Sequence, residues 1–249
     1  MKKLVATLAC RNAGSRLYGK PLQNLDIDKG VTILDNIIAC LSSFECIETV
    51  VLGIAAGNEN LDFVDYAEAN QLDYIIGDEI DVLSRLIKCG EYANATDIFR
   101  TTSESPFPFF EMIESIWLEH CKNDNDATFL DDIIDGCGFE IIKLDALKES
   151  HLKGQNKHRS ELCTLYIREH KDDFNIQQIK PPEELIRKDL RFTVDYPEDL
   201  IVCRAIYGKF IEYAPKIPLL DAVRYLETRK DLKKLIAPFC EDGYKGMYL

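Results

Sequence analysis

The rhythm of apolar residues constrains this chain most, because it switches repeatedly between short β-like runs and helix-spaced stretches. The runs Lys3–Ala9, Thr49–Ile54, Tyr74–Ile76, Ile98–Thr101, Ala127–Leu130, Phe139–Lys143, Ile176–Ile179 and Leu190–Val194 predict strands. Between them Ile33, Ile37 and Leu41, then Ile80, Leu83 and Ile87, then Leu200, Cys203, Ile206 and Phe210 recur at helical spacing. Strands alternating with helices imply βαβ units, an α/β class and a mostly parallel sheet. The sequence has no internal repeat, no low-complexity tract and no long Pro-, Gly- or Ser-rich linker. One domain spanning residues 1–249 is the expectation. Residues 139–186 depart from the βα rhythm and predict a small inserted lobe, serving an acceptor or a homodimer contact through Leu162, Leu165, Tyr166 and Ile167.

Charge and cysteine usage narrow the function classes. The formal net charge of −13 argues against a general nucleic-acid binder, although a local basic pocket can still concentrate phosphate in an acidic protein. No segment approaches the run of about 18 apolar residues that a membrane span requires. The opening MKKLVATLAC breaks at once into RNAGSR, which reads as a first strand and its loop. The nine cysteines are scattered, odd in number and without a CxxC pair. They read as free thiols in a reducing cytoplasm, not as disulfides or a zinc site.

Three segments carry candidate chemistry. Cys10-Arg-Asn-Ala-Gly-Ser-Arg-Leu-Tyr-Gly-Lys20 follows the first strand, where ligands bind in open α/β sheets. Gly14 and Gly19 allow close approach of backbone N–H groups to phosphate, and Arg11, Arg16 and Lys20 supply countercharge. The bare alternative is a solvated basic loop. Arg100-Thr-Thr-Ser-Glu-Ser-Pro106 sets Glu104 at another strand end, where a carboxylate either holds Mg²⁺ or merely precedes a helix. Arg191-Phe-Thr-Val-Asp-Tyr-Pro-Glu-Asp199 ends a predicted strand at Asp195 and opens a helix at Pro197. It reads equally as a helix start or as a second metal carboxylate.

Together these segments resemble the cytidylyltransferase family that includes the CMP-sugar-acid synthetases, and above all its spore coat polysaccharide biosynthesis branch. The first loop resembles A-R-x-x-S-x-R-L-P-G-K, with Arg11, Arg16, Gly19 and Lys20 kept and a serine at Ser15. Gly77-Asp-Glu-Ile-Asp-Val-Leu-Ser-Arg85 resembles G-x-x-x-D-V-L-x-R. Arg100–Pro106 stands where the family has R-x-T-G-D-x-P, and Arg191–Asp199 where it has R-x-T-V-D-x-P-E-D. Gly138-Phe-Glu140 resembles its G-x-E segment. The resemblance implies a Rossmann-like, glycosyltransferase-A type sheet and a Mg²⁺-dependent attack of an acceptor hydroxyl on the α-phosphate of CTP. By carry-over Lys20, Arg11 and Asp195 act in catalysis. Ala9, Arg11, Gly14, Ser15, Arg16, Lys20, Asp81 and Arg85 hold the nucleotide, and Glu104 and Asp195 the metal. Arg100, Glu140, Arg159, Glu161 and Tyr166 are the acceptor candidates.

The departures are concentrated. Glu104 replaces an aspartate, Ser103 a glycine and Tyr18 a proline. The family's R-E-H-V-T-P-Y reads Ser160-Glu-Leu-Cys-Thr-Leu-Tyr166 here, with His158 or Arg159 as the nearest substitutes. The nucleotide side is kept and the acceptor side rebuilt. The expected function is CMP transfer to a sugar acid or related acceptor for surface polysaccharide synthesis. The alternatives are another NTP, a phosphorylated or phosphonate acceptor, or a nucleotide-binding paralogue with weakened catalysis.

Overall fold

The structure, a computed structural model, describes residues 2–12, 14 and 16–245, with side chains to 241. Ser15, a predicted nucleotide contact, lies outside the described residues. The strands are β1 (Leu4–Cys10), β2 (Asn24–Asp26), β3 (Val31–Thr32), β4 (Ile47–Ala55), β5 (Asp73–Gly77), β6 (Asp97–Arg100), β7 (Ala127–Leu130), β8 (Phe139–Lys143) and β9 (Ile176–Gln178). Seven of them form one sheet in the order β5-β4-β1-β6-β8-β7-β9, and β2 and β3 form a small separate ribbon. Strand β8 pairs antiparallel with both neighbours, while the other pairings of the large sheet are parallel.

Both faces of this sheet are covered, which is why its strands read as nearly continuous apolar runs. Along β1, Leu4, Ala6, Leu8 and Cys10 enter the larger core, while Val5 turns to the opposite face with Val51 and Cys89. The same two-residue alternation sends Phe99 and Ile141 to one face and Ile98 and Ile142 to the other. The helices are α1 (Ile33–Ser42), α2 (Leu61–Ala69), α3 (Val82–Tyr92), α4 (Ile113–Lys122), α5 (Leu144–Lys153), α6 (Leu165–Glu169), α7 (Pro197–Lys209), α8 (Leu219–Thr228) and α9 (Lys230–Lys245). Helix α1 starts at a capping box made by Thr32 and Asp35, and α7 starts at Pro197, whose fixed φ suits a first helical turn. Among the described residues no helix is long and apolar enough to cross a membrane.

Two expectations are corrected. Residues 139–186 are not wholly an insertion, because β8 sits inside the sheet and β9 at its edge. The lobe is the helical stretch between them, packed with α3 on one face in a second core. Tyr166 and Ile167, which suggested an assembly surface, are buried in that core, while Leu162 and Leu165 are half-buried. Residues Leu190–Val194 are not a strand. Their backbone groups bond to loops: Phe192 N–H donates to the Asp135 carbonyl (2.7 Å) and Val194 N–H to the Glu104 carbonyl (3.1 Å). A single bridge, Asp135 with Arg191, stands where a ladder was expected. The apolar pattern there reflects burial between loops rather than sheet membership.

Gly136 makes this docking possible. Its φ is +89°, and a Cβ there would overlap the backbone of Phe192 and Thr193. Gly136→Ala is therefore expected to cost about 1–3 kcal/mol or more, through strain at positive φ and displacement of the 191–195 segment. Urea unfolding checks this, and a stability equal to that of the parent chain would refute it.

Candidate active site at the strand ends

The parallel strands β1, β4, β5 and β6 deliver their following loops to one edge of the sheet, and the 131–138 loop, between β7 and antiparallel β8, joins them there. Two adjoining cavities of about 210 and 330 Å³ open between these loops. Both are bounded by Arg16, Arg100, Glu104, Glu161 and Asp195, so they form one cleft with two chambers. Clefts of this size at strand ends are the usual place for a small ligand in an open α/β sheet.

The first chamber is built by the 11–20 loop, α3 and the 101–104 loop. Ala9, Arg11, Gly14, Arg16, Lys20 and Arg85, all predicted nucleotide residues, line it. Gly14 is tucked beneath the Leu17 carbonyl, where a Cβ would clash. The Ser103 hydroxyl donates to the Ala9 carbonyl (2.7 Å) and ties the β6 loop to the end of β1. The glycine replaced at position 103 thus becomes a fastening between the two loops. Asn12 anchors the loop on its other side. Its backbone N–H donates to Asn60 Oδ1 (2.7 Å) and its Nδ2 to the Glu59 carbonyl (2.5 Å), so the buried Asn12 Oδ1, without a partner among the described residues, is left toward Gly19.

Asp195 is the electrostatic centre. Lys20 Nζ lies 2.6 Å from its Oδ1, Arg16 reaches the same oxygen at 3.2 Å, and Arg191 holds Oδ2 at 2.7 Å. Burial alone would raise the Asp195 carboxyl, but the hydrogen bond and charge of Lys20, with Arg16 and Arg191, hold it below the usual carboxylate range. Asp199 fixes its backbone, accepting from the N–H groups of Asp195 and Tyr196 (2.9 Å each). The helix-start reading of this segment is realised by Asp199, while Asp195 faces the cations of the cleft.

Glu104 is half-buried in the same cleft and receives a long contact from the Ser103 hydroxyl (3.4 Å). Burial raises its carboxyl, Lys20 opposes the shift and the Asp195 charge adds to it. Among the described residues no three His, Cys, Asp or Glu side chains are arranged to hold a metal ion. Glu104 and Asp195 are two hard oxygen donors. That pair suits a Mg²⁺ ion whose remaining ligands are phosphate oxygens and water, the usual arrangement for this ion.

Arg85 is 1% exposed, and its buried Nε has no hydrogen-bond partner among the described residues. Its Nη1 donates to the Asp78 and Glu79 carbonyls (2.8 and 3.1 Å), and burial lowers its pKa. Asp81, by contrast, does not line the cleft. It caps α3 through the Ser84 N–H (2.8 Å) and receives His151 Nε2 (2.7 Å) from α5. The D-V-L-x-R motif thus divides into a structural aspartate and a cleft arginine.

The acceptor candidates divide in the same way. Arg100 and Glu161 line both chambers, and Glu161 pairs with Arg11 across the cleft. Glu140 borders the second chamber but is fully engaged, with Arg100 at 2.8 Å, Arg168 at 2.7 Å and the Thr164 hydroxyl at 2.6 Å. Burial would raise its carboxyl, but the two arginines outweigh it and hold it low. Tyr166 is corrected to a core residue, stacked on His170 at 4.0 Å. Arg159 faces the His151 carbonyl (3.2 Å) and Asp81, outside both chambers, because the 156–159 turn directs it to the α5 side.

Sequence reasoning missed Asp135 as a site residue. It lines the second chamber with its side chain 10% exposed, and its buried Oδ2 has no hydrogen bond among the described residues. The nearest cation, Arg191 Nε, is 3.8 Å away and is shared with Asp195 and Asp199. Burial pushes Asp135 up to about 6, Arg191 opposes this, and the charges of Asp195, Asp199 and Glu104 add to it. The only local signal was Asp-Gly, which reads as a turn.

This has a consequence for stability. Between the unfolded value near 4 and about pH 6 the folded chain binds the Asp135 proton more tightly than the unfolded chain does, so Asp135 erodes stability as pH rises through that window. Asp135→Asn is expected to gain on the order of 2 kcal/mol at pH 7 and almost nothing near pH 4. Urea titrations of both proteins at the two pH values measure it, and a gain independent of pH would contradict the assignment.

No protein-family model matches the sequence. The chain is 26% identical over 243 residues to an uncharacterized protein of Methanocaldococcus jannaschii, covering 98% of both chains. It is 25% identical to the spore coat polysaccharide biosynthesis protein SpsF of Bacillus subtilis, covering 93% of this chain and 97% of that one. Among solved structures, a cytidylyltransferase of Leptospira borgpetersenii superposes with a TM-score of 0.82 at 18% identity, covering 93% of this chain and 97% of the other. A CMP:2-keto-3-deoxy-manno-octonic acid synthetase complexed with CTP superposes with a TM-score of 0.63 at 14% identity, covering 84% and 99%. The chain thus shares the fold of these solved structures and is similar in sequence to SpsF over nearly its whole length.

Proposed function

We propose that the chain transfers CMP from CTP to the hydroxyl of a sugar-like acceptor, with release of pyrophosphate. The observation that carries this reading is the convergence of Arg11, Arg16 and Lys20 on one chamber, facing Glu104 and Asp195. Three cations on a glycine-bearing loop form a cradle for a triphosphate. Its binding would exchange their carboxylate partners for phosphate oxygens. The acceptor oxygen forms the new bond to the α-phosphorus, the bond to the β-phosphate oxygen breaks, pyrophosphate leaves with the electron pair, and the hydroxyl proton passes to solvent. Such a reaction rests on alignment and charge neutralisation, which the loop cations supply.

Glu104 and Asp195 are the residues that would hold Mg²⁺, which supplies charge neutralisation on the phosphates when bound. Asp195 also orients Lys20, so it has two roles. Arg85, buried with an unpaired Nε, sits at the wall where the nucleoside would lie. A role in surface polysaccharide synthesis belongs to the same reading through the similarity to SpsF, and a cytoplasmic location through the scattered free cysteines.

Two outcomes test the donor half. Lys20→Ala should weaken CTP binding about ten- to a hundredfold, the worth of a lost charge-assisted contact, and leave cytidine binding nearly unchanged. Calorimetry that finds CTP affinity unaltered would remove Lys20 from the site. Asp195→Asn should abolish Mg²⁺-dependent pyrophosphate release, and Glu104→Gln should impair it less, because Asp195 alone bridges the cations and the metal position. A pyrophosphate assay across CTP, UTP, ATP and GTP distinguishes the cytidyl donor from the others. Mg²⁺ dependence unchanged in both variants would count against the metal pair.

A further inference from the structure

Two cations of the first loop share Asp195 unequally. Lys20 is mostly buried and reaches Oδ1 at 2.6 Å, whereas the Arg16 side chain is 44% exposed and reaches the same oxygen at 3.2 Å. A long, exposed arginine loses much rotamer freedom when a ligand fixes it, so its contribution depends on what orients it beforehand.

Tyr196 supplies that orientation. Arg16 Nη1 donates to the Tyr196 hydroxyl (3.3 Å), and the guanidinium carbon lies 4.9 Å from the ring centroid, within reach of a cation–π contact. The ring is itself fixed. It stacks on Phe239 of α9, with centroids 4.0 Å apart and planes 17° from parallel. Arg191 Nη1 donates to the Phe239 carbonyl (2.7 Å) and Nη2 to Asp195 Oδ2 (2.7 Å), so one buried arginine ties the Phe239 backbone to the residue before Tyr196. The Tyr196 N–H donates to Asp199 (2.9 Å). Tyr196 and Phe239 line neither chamber, and their link to the cleft runs through Arg16.

The two kinds of Arg16 partner respond differently to an anion. The Asp195 carboxylate competes with phosphate for the guanidinium. The tyrosine hydroxyl and ring are neutral, so an arriving phosphate has no charge there to displace. With Nη1 on the hydroxyl, Nε and Nη2 remain as a fork for two phosphate oxygens once the carboxylate is exchanged.

We propose that Tyr196 and Phe239 are positioning residues, a stacked aromatic pair that holds the Arg16 guanidinium aimed into the cleft so that a triphosphate meets it already oriented. The inference rests on the triphosphate-cradle reading of the first loop and extends the donor site to α9, which lies outside every motif of the sequence.

Calorimetric titration of CTP, inorganic triphosphate and cytidine tests this. Tyr196→Phe keeps the ring and removes the hydroxyl, and should weaken CTP and inorganic triphosphate about two- to tenfold. Tyr196→Leu removes both contacts and should weaken them about five- to fiftyfold, with cytidine binding unaltered. Phe239→Leu should also weaken both phosphate ligands, and Phe239→Tyr, which keeps the stack, should bind them as the parent does. In an Arg16→Ala background Tyr196→Leu should have no further effect, because the pair acts only through that arginine. A protein in which Tyr196→Leu leaves triphosphate affinity unchanged, or loses as much of it without Arg16 as with it, would overturn the proposal. So would equal losses for cytidine and CTP, the pattern of a general structural role. Should Tyr196→Leu fail to fold, Tyr196→Phe completes the same cycle. A parent chain that binds inorganic triphosphate but not CTP defeats the cytidyl-transfer reading, and the triphosphate titrations then decide the positioning role. A parent that binds neither overturns both.

Discussion

The site depends on one ion cluster, in which Lys20, Arg16 and Arg191 converge on Asp195. These residues come from distant parts of the chain, so the cluster closes the first loop against the segment that leads into α7. Arg191 is 1% exposed, and its Nη1 donates to the Phe239 carbonyl (2.7 Å), which extends the connection to α9. A buried ion pair of this kind contributes little net stability, because desolvation offsets much of the Coulomb gain. Its value is positional. Removing one partner leaves an uncompensated charge, so the remaining groups permit few alternative arrangements of the loop.

The same cluster shows how an acidic chain can gather cations in one cleft, where we propose that a triphosphate binds. The net charge of −13 describes the whole surface, whereas a substrate meets the local field. Three of the chain's cations lie on ten residues of one loop, and their acidic partners lie across the cleft rather than beside them in sequence. Without a ligand, the acids keep the cations satisfied. A triphosphate competes for them with more charge and more oxygen acceptors, and arginine's planar fork matches phosphate better than it matches a single carboxylate oxygen.

Legibility in the sequence followed physical locality. The central strands could be read because both faces of the sheet are buried, so each appears as a short, nearly unbroken apolar run. The ribbon of β2 and β3 was invisible, having only three and two residues, of which Leu25 alone is buried. Leu190–Val194 mimicked a strand because loop packing buries residues as thoroughly as a sheet does. Arg11, Arg16, Lys20 and Asp195, singled out by clustered charge and motif, line one chamber of the cleft. Asp81 and Tyr166 were misassigned, since a helix cap and a core aromatic satisfy the same pattern. Asp135 was missed because its significance depends on Arg191, Asp195 and Asp199, none of which is near it in sequence.

These successes and failures trace the division between the chambers. The first chamber, the proposed donor side, is read from local sequence because its cations lie on one loop. The second chamber is assembled from the 100–104 loop, the 131–138 turn, Glu161 and Asp195, residues that are far apart in sequence. Glu140 and Asp135 illustrate the difference: both are buried carboxylates at the same wall. Two arginines and a threonine hold Glu140 ionised and fixed, making it a support for the wall. Asp135 shares one arginine with two other acids and keeps an unbonded oxygen. Evolution can replace such a residue cheaply unless a ligand uses it, because each buried unsatisfied carboxylate lowers stability. The contrast between a satisfied and an unsatisfied acid in one wall is visible only once the fold has brought the partners together.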